Sequence, residues 1–586
     1  MRIRFIGHSY HKKTRSSQFF LDFLSRFGVV DALWDDSWRS AEHVDYEPLC
    51  SGYNLIVVWQ IPEVIERLAR SGASNLVFVP MYDAAYSLSK RFWRKLWRVR
   101  ILCFSAALYE ICSRHGLHSF YLKYYPERVG DGFENKERIS RSLFVWQRRD
   151  NPSWSTVARY IPSACFKSLH IHYAPDFKWC SLTVPTESEA ANLKVSTSDW
   201  FEDKRDLVSM LERHEYFLAP RDREGIGLSF LDAMAAGMIV MGLDFSTLNE
   251  YVIDGVNGFL FRQGDERRFD LPDRTDELRN AIRHYLDKGR RNYERRLSAL
   301  SVFLLKEKCR GSRFRLHSKI SRKIKMASVV EVKPVRKRYA GSQPPIVSVV
   351  TVVRNDMPGL SRTLQSVFSQ SFQNFEYIVV DGASTDGTRK LLASFDECID
   401  GWMSEPDGGA YDAMMKGARM AAGKYVLFMN AGDEFVDDFS LEDVFQDLDW
   451  SPDVIYGHHF YINDRGRPQV RLARDLKGAF EDMKEGRFTS GWLSGIPCHQ
   501  STLVKRDLLL KLGFDPKYSI AADHHLLYRA IADGASCYHT NTFIANYYWG
   551  GMSAQRVKNC IDDWSNIARE FTSAPDRVDM FFSTIS

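Results

Sequence analysis

SEPDGGAYDAMMKGARMAAGKYVLFMNAGDEF, residues 404–435, reads as a loop, a helix, a buried strand and a turn that carries carboxylates. The run YVLFM, at 425–429, is short and continuously apolar, which is typical of a strand covered on both faces. Asp433 and Glu434 follow at once. Ligands of open α/β sheets bind beyond the carboxyl ends of strands, so this turn is a candidate site for a divalent metal or a phosphate. The alternative is that Asn-Ala-Gly-Asp is ordinary turn chemistry.

Two further apolar runs precede this stretch. VSVVTVV at 347–353 ends on Arg354-Asn355-Asp356, and YIVV at 377–380 ends on Asp381. A helix is expected to begin near Leu360, and strands that alternate with helices at this spacing predict βαβ units and a largely parallel sheet. The polar residues that end these strands should therefore share one edge of the sheet.

Five motifs then occur in a fixed order: SVVTVVRND, VVDGASTDGT, the opening stretch, CHQSTLVKRDLL and IAADHHLLYRA. Together, over about residues 345–555, they resemble the family 2 glycosyltransferases of the GT-A fold, above all the branch that builds bacterial capsule, colanic acid and O-antigen. The resemblance implies that Asp381 contacts the donor nucleotide, that Asp433 holds a divalent metal (Mn or Mg), and that Asp523 is the general base. We place Asn355, Asp407 and Lys416 with the donor-binding residues and His499 on the acceptor side.

The chemistry of sugar transfer requires such groups. A metal neutralises the charge of a departing nucleoside diphosphate, and a positioned carboxylate takes the proton of the acceptor hydroxyl. A single displacement with one base predicts inversion. Structural alternatives remain, because Asp523 would also suit the first turn of a helix, His499 could be a satisfied structural histidine, and Lys416 could be solvated.

Three positions depart from the family pattern. A paired-aspartate turn is usual where this chain has Asn430-Ala-Gly-Asp433, so a single carboxylate could hold the metal, with modest affinity. Gly382 stands where many relatives have a second acidic residue after the one matching Asp381. Met415 replaces the usual Asn before Lys-Gly.

Length and composition bound the rest of the chain. Its 586 residues suggest three or four domains or half-domains, and 45% apolar with 26% charged residues is ordinary for a globular protein. A net charge of +5 is too small for a general nucleic-acid binder. Ten scattered cysteines without metal spacing predict reduced thiols. No signal peptide or membrane-spanning run is evident, so we expect a cytoplasmic protein that could lie peripherally on the inner membrane face.

The first 140 residues predict another α/β arrangement, with strands at 2–6, 54–58, 75–79 and 100–104. The segment from Lys90 to Arg100 places six basic residues among aromatics, with Trp93 and Trp97 four residues apart on one helical face. It could lie on an anionic membrane. It could equally be a helix that buries Phe92, Leu96 and the tryptophans while its arginines are solvated.

A strand, a glycine-bearing turn and a helix near Leu228 are expected over residues 216–237. Glu224 and Asp232 lie eight residues apart there. The amino end of the helix could receive a phosphate. A generic α/β unit would look the same.

One segment resembles the second half of family 4 glycosyltransferases, which have the GT-B fold of two Rossmann-like halves. Its sequence, at 224–261, is EGIGLSFLDAMAAGMIVMGLDFSTLNEYVIDGVNGFLF. The resemblance implies that Glu224 contacts the donor sugar, that Asp232 contacts the ribose, and that the backbone near Gly225 and Gly227 contacts the diphosphate, with no metal and with retention.

This second resemblance has departures of its own. Asp232 stands where Glu is usual, and His8 to Lys13 replaces a Gly-Gly loop. Arg148 or Arg149 would be the diphosphate arginine, and no lysine matches. An inactive or scaffolding first half therefore remains an alternative.

The predicted architecture is α/β throughout. A GT-B domain spans 1–309, with halves of roughly 1–140 and 141–309, a basic linker spans 310–344, and a GT-A domain with a helical tail spans 345–586.

The expected ligands are nucleotide sugars, with UDP favoured, and a glycan or lipid-linked saccharide acceptor. The basic run from Arg310 to Arg338 either stays solvated or binds anionic lipid. Rival interpretations are a single active site in the second domain and a glycan-binding scaffold. No reader motif supports nucleic-acid binding.

Overall fold

The computed structural model describes residues 1–36, 44–128, 133, 138–148, 160, 165–175, 184–190, 193–201, 203–219, 221–262, 274–305, 339–446, 448–488, 492–493, 495–551 and 556–584. Internal contacts divide the chain into two units, Met1–Leu316 and His317–Ser586. The basic run 310–338 lies outside the described residues, so the predicted linker and its boundaries stay predictions. No helix in the described ranges is long and apolar enough to cross a membrane.

The first unit alternates strands and helices. Its strands are β1 (Arg2–His8), β2 (Val29–Asp35), β3 (Leu55–Trp59), β4 (Leu76–Val79), β5 (Arg100–Cys103), β6 (His118–Tyr121), β7 (Ile139–Gln147), β8 (Ser168–Tyr173), β9 (Lys194–Ser198), β10 (His214–Leu218), β11 (Ile239–Leu243) and β12 (Gly258–Phe261). Its helices are α1 (Ser9–Thr14), α2 (Gln18–Ser25), α3 (Tyr46–Cys50), α4 (Pro62–Arg70), α5 (Tyr82–Ala85), α6 (Lys90–Lys95), α7 (Ala106–Arg114), α8 (Glu187–Ala190), α9 (Lys204–Arg213), α10 (Leu228–Ala235) and α11 (Thr275–Leu305).

Two parallel sheets organise this unit. The first has the order β2-β1-β3-β4-β5-β6, and its central strands β3, β4 and β5 are fully buried, as expected for a parallel sheet covered on both faces. The second has the order β12-β11-β10-β7-β8-β9. The strand order changes direction between β1 and β3 in the first sheet and between β7 and β10 in the second. Ligand sites of such sheets lie at these switch points.

The four strands predicted in the first 140 residues are confirmed, and the structure adds β2 and β6. Both added strands lie at the edges of their sheet and are largely half-buried, so neither shows a continuous apolar run.

The basic segment after residue 90 differs from the expectation. Helix α6 ends at Lys95, and Leu96 and Val99 turn into the core ahead of β5. Trp93 is buried while Trp97 is 52% exposed, so the two tryptophans do not share a helical face.

Buried histidines give the second sheet of this unit a pH-dependent stability. Burial lowers the pKa of His170 and of His172 to about 4. Between pH 6.5 and 4 the unfolded chain binds protons that the folded sheet does not, so stability should fall as the pH drops, by at most about 1.4 kcal/mol per pH unit for each histidine. Urea unfolding of the intact chain at several pH values measures this slope. A His170→Gln/His172→Gln double variant should be less stable at neutral pH but show a flatter slope, and equal slopes would contradict the explanation.

The second unit is built on a mixed sheet. Its strands are β13 (Val347–Val353), β14 (Phe375–Asp381), β15 (Gly401–Ser404), β16 (Tyr425–Phe428), β17 (Glu434–Phe435), β18 (Val454–Ile462), β19 (Pro468–Arg471), β20 (Thr502–Lys505) and β21 (Cys537–Tyr548). Its helices are α12 (Met357–Phe368), α13 (Thr388–Ser394), α14 (Ala410–Met420), α15 (Ser440–Phe445), α16 (Leu476–Lys484), α17 (Arg506–Leu512), α18 (Ala522–Ala532), α19 (Val557–Phe571) and α20 (Pro575–Ser583).

Among the described residues this sheet has the order β15-β14-β13-β16-β20-β18-β21-β17, with β19 paired to β18. Strands β15, β14, β13 and β16 are parallel, and β20 runs antiparallel to β16. The three strands predicted at 347–353, 377–380 and 425–429 are confirmed. The predicted helical tail of this domain is confirmed by α19, whose Ile567 packs into a cluster with Trp492 and Tyr528.

Candidate active sites

The second unit contains a cleft of about 500 Å³ at the carboxyl ends of β13 and β16. Loops after these two strands form one wall, and the 3-10 turn His499–Ser501 and the end of β21 form the other. The side chains that matter for chemistry here are those of Asp356, Arg362, Tyr411, Asn430, Asp433, His499, Gln500, Tyr547, Tyr548 and Trp549.

Asp433 lines this cleft and is only 5% exposed. Gly432, at φ +99°, lies in the turn between β16 and Asp433, in a conformation that favours glycine. One carboxylate oxygen accepts the backbone N–H of Tyr548 at 2.8 Å, and the other accepts Nε2 of Gln500 at 2.7 Å. Burial nevertheless raises the pKa of Asp433 to about 6. A cation beside it would compensate the lost hydration.

The residues around Asp433 fit a divalent cation. Oδ1 of Asn430 and Oε1 of Gln500 are buried, and neither has a hydrogen-bond partner within the described part of the chain. Leaving such oxygens unsatisfied is costly, and carboxylate and amide oxygens are the ligands that Mg²⁺ and similar hard cations prefer. The described residues hold no group of three His, Cys, Asp or Glu side chains placed for a metal. Substrate or water oxygens would have to complete the coordination.

A hydrogen-bonded chain runs from the cleft wall to Asp523. Nε2 of His499 accepts Nδ2 of Asn430 at 2.9 Å, and Nδ1 of His499 donates to Asp523 at 2.8 Å, as the network assigns the tautomer. The hydroxyl of Tyr411 donates to the carbonyl of Ile520 and also lies 3.1 Å from the other Asp523 oxygen. His499 and Tyr411 line the cleft, whereas Asp523 lines a small apolar cavity behind them.

The carboxylate of Asp523 is held in its charged form. Burial acts to raise its pKa, but the charge of His524 and the hydrogen bonds from His499 and Tyr411 outweigh burial and hold the pKa well below its usual range. Asp523 therefore stays ionised throughout the neutral range and can orient His499, but its low pKa makes it a weaker proton acceptor than an ordinary carboxylate.

Asp381 and Asn355 shape one loop at the far end of the same sheet edge. Asp381 is fully buried at the end of β14 and accepts the N–H of Ser384 at 3.2 Å and the hydroxyl of Ser404 at 2.6 Å. Asn355, at φ +53°, accepts the N–H of Thr385 at 2.8 Å. Both side chains thus support the loop 382–385 that follows β14.

Asp407 explains the glycine at position 382. A Cβ on Gly382 would come 2.2 Å from Oδ2 of Asp407, so the carboxylate fills the space that a second acidic side chain would need. Lys416 pairs with Glu405 at 2.8 Å and with Asp412 at 3.5 Å, and it does not line the cleft.

Several cleft residues have no counterpart in the sequence analysis. Arg362, on α12, stacks over the ring of Tyr548 at 4.4 Å and donates to the carbonyl of Gly432 at 2.9 Å. Its guanidinium is a cation that lines this cleft beside Asp433. Tyr548 also donates its hydroxyl to Glu434. The sequence analysis missed these residues because Arg362 lies on a helix and Tyr548 ends a strand that was not predicted.

The first unit contains a second cleft, of about 450 Å³, at the switch points of its two sheets. His8 and His11 line it after β1, Gln60 after β3 and Arg148 after β7. Met81 and Asp83 line it after β4, and the loop after β10 contributes another wall, with Arg221, Glu224, Gly225, Ile226, Gly227, Leu228 and Ser229.

Glu224 and the glycines around it are rigidly placed in this second cleft. Glu224 is 7% exposed, and the hydroxyl of Thr247 donates to its backbone carbonyl at 2.7 Å. Gly225 allows a close approach, since a Cβ there would meet Met81 at 2.9 Å. Gly227, at φ +84°, precedes α10 and directs the amino end of that helix into the cleft.

The other predicted residues of the first unit are placed less uniformly. Arg148 lines the cleft, and Arg149 lies outside the described residues. Asp232, on α10, does not line the cleft and lies near Tyr124. An ion pair between Arg221 and Asp83 joins the two halves of the unit across the cleft.

Both clefts lie where open α/β sheets usually bind their ligands, beyond strand ends and at switch points of the strand order. The chain is therefore of the α/β class with such clefts. Comparisons with known proteins specify the class further. The model of "Glycosyl transferase family 2" matches residues 348–513, and that of "Glycosyl transferases group 1" matches residues 186–271.

An uncharacterized glycosyltransferase of Mycobacterium tuberculosis is 31% identical over 201 residues, which cover 32% of this chain and 69% of the relative. A PGL/p-HBAD biosynthesis glycosyltransferase of Mycobacterium bovis is 27% identical, covering 36% of this chain and 79% of the relative. The chain therefore belongs to the family 2 glycosyltransferases and carries a second segment of the group 1 type, which gives it the GT-A and GT-B folds.

Among solved structures, S. aureus TarS residues 1–349 in complex with UDP-GlcNAc has a TM-score of 0.30 and 18% identity. The similarity covers 38% of this chain and 65% of that one, slightly less than two thirds of its length. Similarity of this degree supports no conclusion about ligands.

Proposed function

We propose that the chain is a dual-domain glycosyltransferase that adds sugars from nucleotide donors to a growing bacterial surface glycan, such as O-antigen, capsule or exopolysaccharide. The observation that supports this most directly is the presence of a separate cleft in each unit, each at strand ends and each with a buried carboxylate, Asp433 in one and Glu224 in the other. We propose the domain limits 1–309, 310–344 and 345–586 for the two transferase domains and their linker.

In the second unit, Asp433 with the amide oxygens of Asn430 and Gln500 would hold a divalent metal, Mn or Mg. When bound, the metal supplies positive charge against the diphosphate of the donor. Arg362 faces the same space and would add a fixed positive charge. The loop that Asp381 and Asn355 support would hold the nucleotide, for which UDP is favoured.

The same unit would deprotonate the acceptor hydroxyl through Asp523 and His499. Asp523 is fixed as a carboxylate, and His499 presents Nε2 toward the cleft once its hydrogen bond from Asn430 is exchanged for one from the acceptor. One proton acceptor on one face of the sugar favours a single displacement and hence inversion.

In the first unit, Arg148, Arg221 and the amino end of α10 would neutralise the donor diphosphate without a metal. Glu224 would contact the donor sugar, and the backbone of Gly225 and Gly227 would approach the phosphates. We propose retention here, as the family resemblance implies.

A second candidate is that only the second unit is catalytic, while the first holds the acceptor or the membrane. Two observations favour it: Asp232 does not line the cleft of the first unit, and Arg221 is already engaged by Asp83. The exposed side chains of Lys90, Arg91, Arg94, Trp97 and Arg98 form a basic aromatic surface suited to anionic lipid.

Sugar transfer by the intact chain separates these candidates. With labelled UDP-sugars and GDP-sugars, and membrane lipids of the native host as acceptor, Asp433→Asn should remove one linkage from the product and Glu224→Gln should remove another. If Glu224→Gln leaves every linkage intact and Asp433→Asn removes all of them, the second unit is the sole catalyst. Transfer by neither unit would refute both candidates.

A further inference from the structure

The end of β21 forms a rigid aromatic wall of the cleft in the second unit. Tyr547, Tyr548 and Trp549 all line it. The backbone N–H of Tyr548 donates to Asp433 at 2.8 Å, and the N–H of Trp549 donates to the carbonyl of Ile462 at 2.7 Å. These two hydrogen bonds hold the backbone at residues 548 and 549, and so set the position from which the indole of Trp549 extends.

Trp549 is unusual among the tryptophans because it is 49% exposed and faces a cleft. Trp492 in the same unit is 1% exposed, and Trp450 is 46% exposed but does not line this cleft. In the described part of the chain, no hydrogen bond and no ring contact holds the indole of Trp549. An aromatic side chain at the rim of a cleft is available to cover an apolar face of a bound ligand.

Strand order shows which ligand could reach this wall. Asp381 ends β14, and Trp549 follows β21, five strands away in the order β14-β13-β16-β20-β18-β21. Asp433 and His499, which follow β16 and precede β20, lie between them. By strand order, the strands that carry Asp433 and His499 separate a nucleotide held near Asp381 from Trp549.

We propose that Trp549, with Tyr547 beside it, is the platform on which the acceptor's sugar ring stacks; this rests on the proposed transferase function of the second unit. A pyranose presents a face of C–H groups that an indole covers well, while its hydroxyls stay available at the edge. Stacking there would direct one hydroxyl toward His499 and Asp523. Trp549 is thus a positioning residue for the acceptor and takes no part in proton transfer.

The test is fluorine NMR of the intact chain labelled with 5-fluorotryptophan, because it requires no knowledge of the natural acceptor. Loss of one resonance in Trp549→Phe assigns Trp549, and Trp450→Phe assigns the exposed control. The probes are the methyl glycosides of glucose, galactose, mannose and N-acetylglucosamine, followed by UDP with Mn²⁺. We expect a saturable shift of the Trp549 resonance with at least one glycoside and none at Trp450. Trp549→Ala should weaken that glycoside's affinity about tenfold, measured by saturation transfer to the glycoside.

Two results would overturn the proposal. One is a Trp549 resonance that stays fixed with every glycoside while UDP binds. The other is a Trp549 resonance that shifts with UDP alone, which would assign the indole to the donor. Failure of UDP to bind with or without Mn²⁺ would instead count against the proposed function, and a glycoside shift at Trp549 in that case would still support an acceptor platform.

Discussion

Asp433→Asn should weaken the manganese-dependent binding of UDP to the intact chain by about 100-fold or more. The substitution keeps the shape of the side chain but removes the charge that a hard cation requires, and loss even of a supporting group around a metal costs about 10-fold to 100-fold in affinity. Calorimetric titration with UDP, with and without Mn²⁺, measures the change. The difference between the two titrations isolates the second unit, because the cleft of the first unit is proposed to work without a metal.

A matched control variant distinguishes loss of the Asp433 charge from loss of folding stability as the cause of weaker UDP binding. Asparagine at 433 would place an amide N–H against a donor, either Tyr548 or Gln500, and some loss of stability should follow. Asp438→Asn removes a charge from an exposed position just beyond β17 and should bind UDP like the unmodified chain. Thermal unfolding of both variants reveals any folding defect. Unchanged manganese-dependent binding by a folded Asp433→Asn variant would refute the metal assignment.

Strand-end reasoning from the sequence located the edge of the sheet and the carboxylates on it. The runs before Asn355, Asp381 and Asp433 are short, apolar and fully or largely buried, so both their type and their ends could be read directly. Parallel pairing of β14, β13 and β16 then brings their ends to one side. The edge strands β2 and β6 were not predicted, because half-buried strands lack the continuous apolar pattern.

The opposite wall of the cleft could not be predicted in this way. Tyr548 and Trp549 reach Asp433 only because β21 pairs with β17 and β18, strands that lie far away along the chain. Arg362 is one residue of an amphipathic helix, and its sequence context resembles that of any solvated arginine. Long-range pairing and helix rotation decide both placements, and no local pattern encodes them.

Asp523→Asn should lower sugar transfer by the second unit by about 10²-fold to 10⁴-fold, the usual contribution of a positioned general base. Manganese-dependent UDP binding should fall much less than transfer does, since Asp523 does not line the cleft and reaches the proposed metal ligand Asn430 only through His499. Initial rates of transfer from a labelled donor to host membrane lipid give the loss. Asp533→Asn, an exposed carboxylate at the end of the same helix, is the matched control and should keep full activity.

Comparing Asp523→Asn with His499→Gln shows which of the two side chains takes the proton of the acceptor hydroxyl. Because Nδ1 of His499 donates to Asp523 at 2.8 Å, the two side chains can act as one unit, with His499 as the group that meets the acceptor. In that case each single variant should lose about as much activity as the double variant, since groups that act together are strongly non-additive. If His499→Gln retains most activity while Asp523→Asn does not, Asp523 meets the acceptor itself after His499 moves aside. A fully active Asp523→Asn variant would remove the carboxylate from the mechanism altogether.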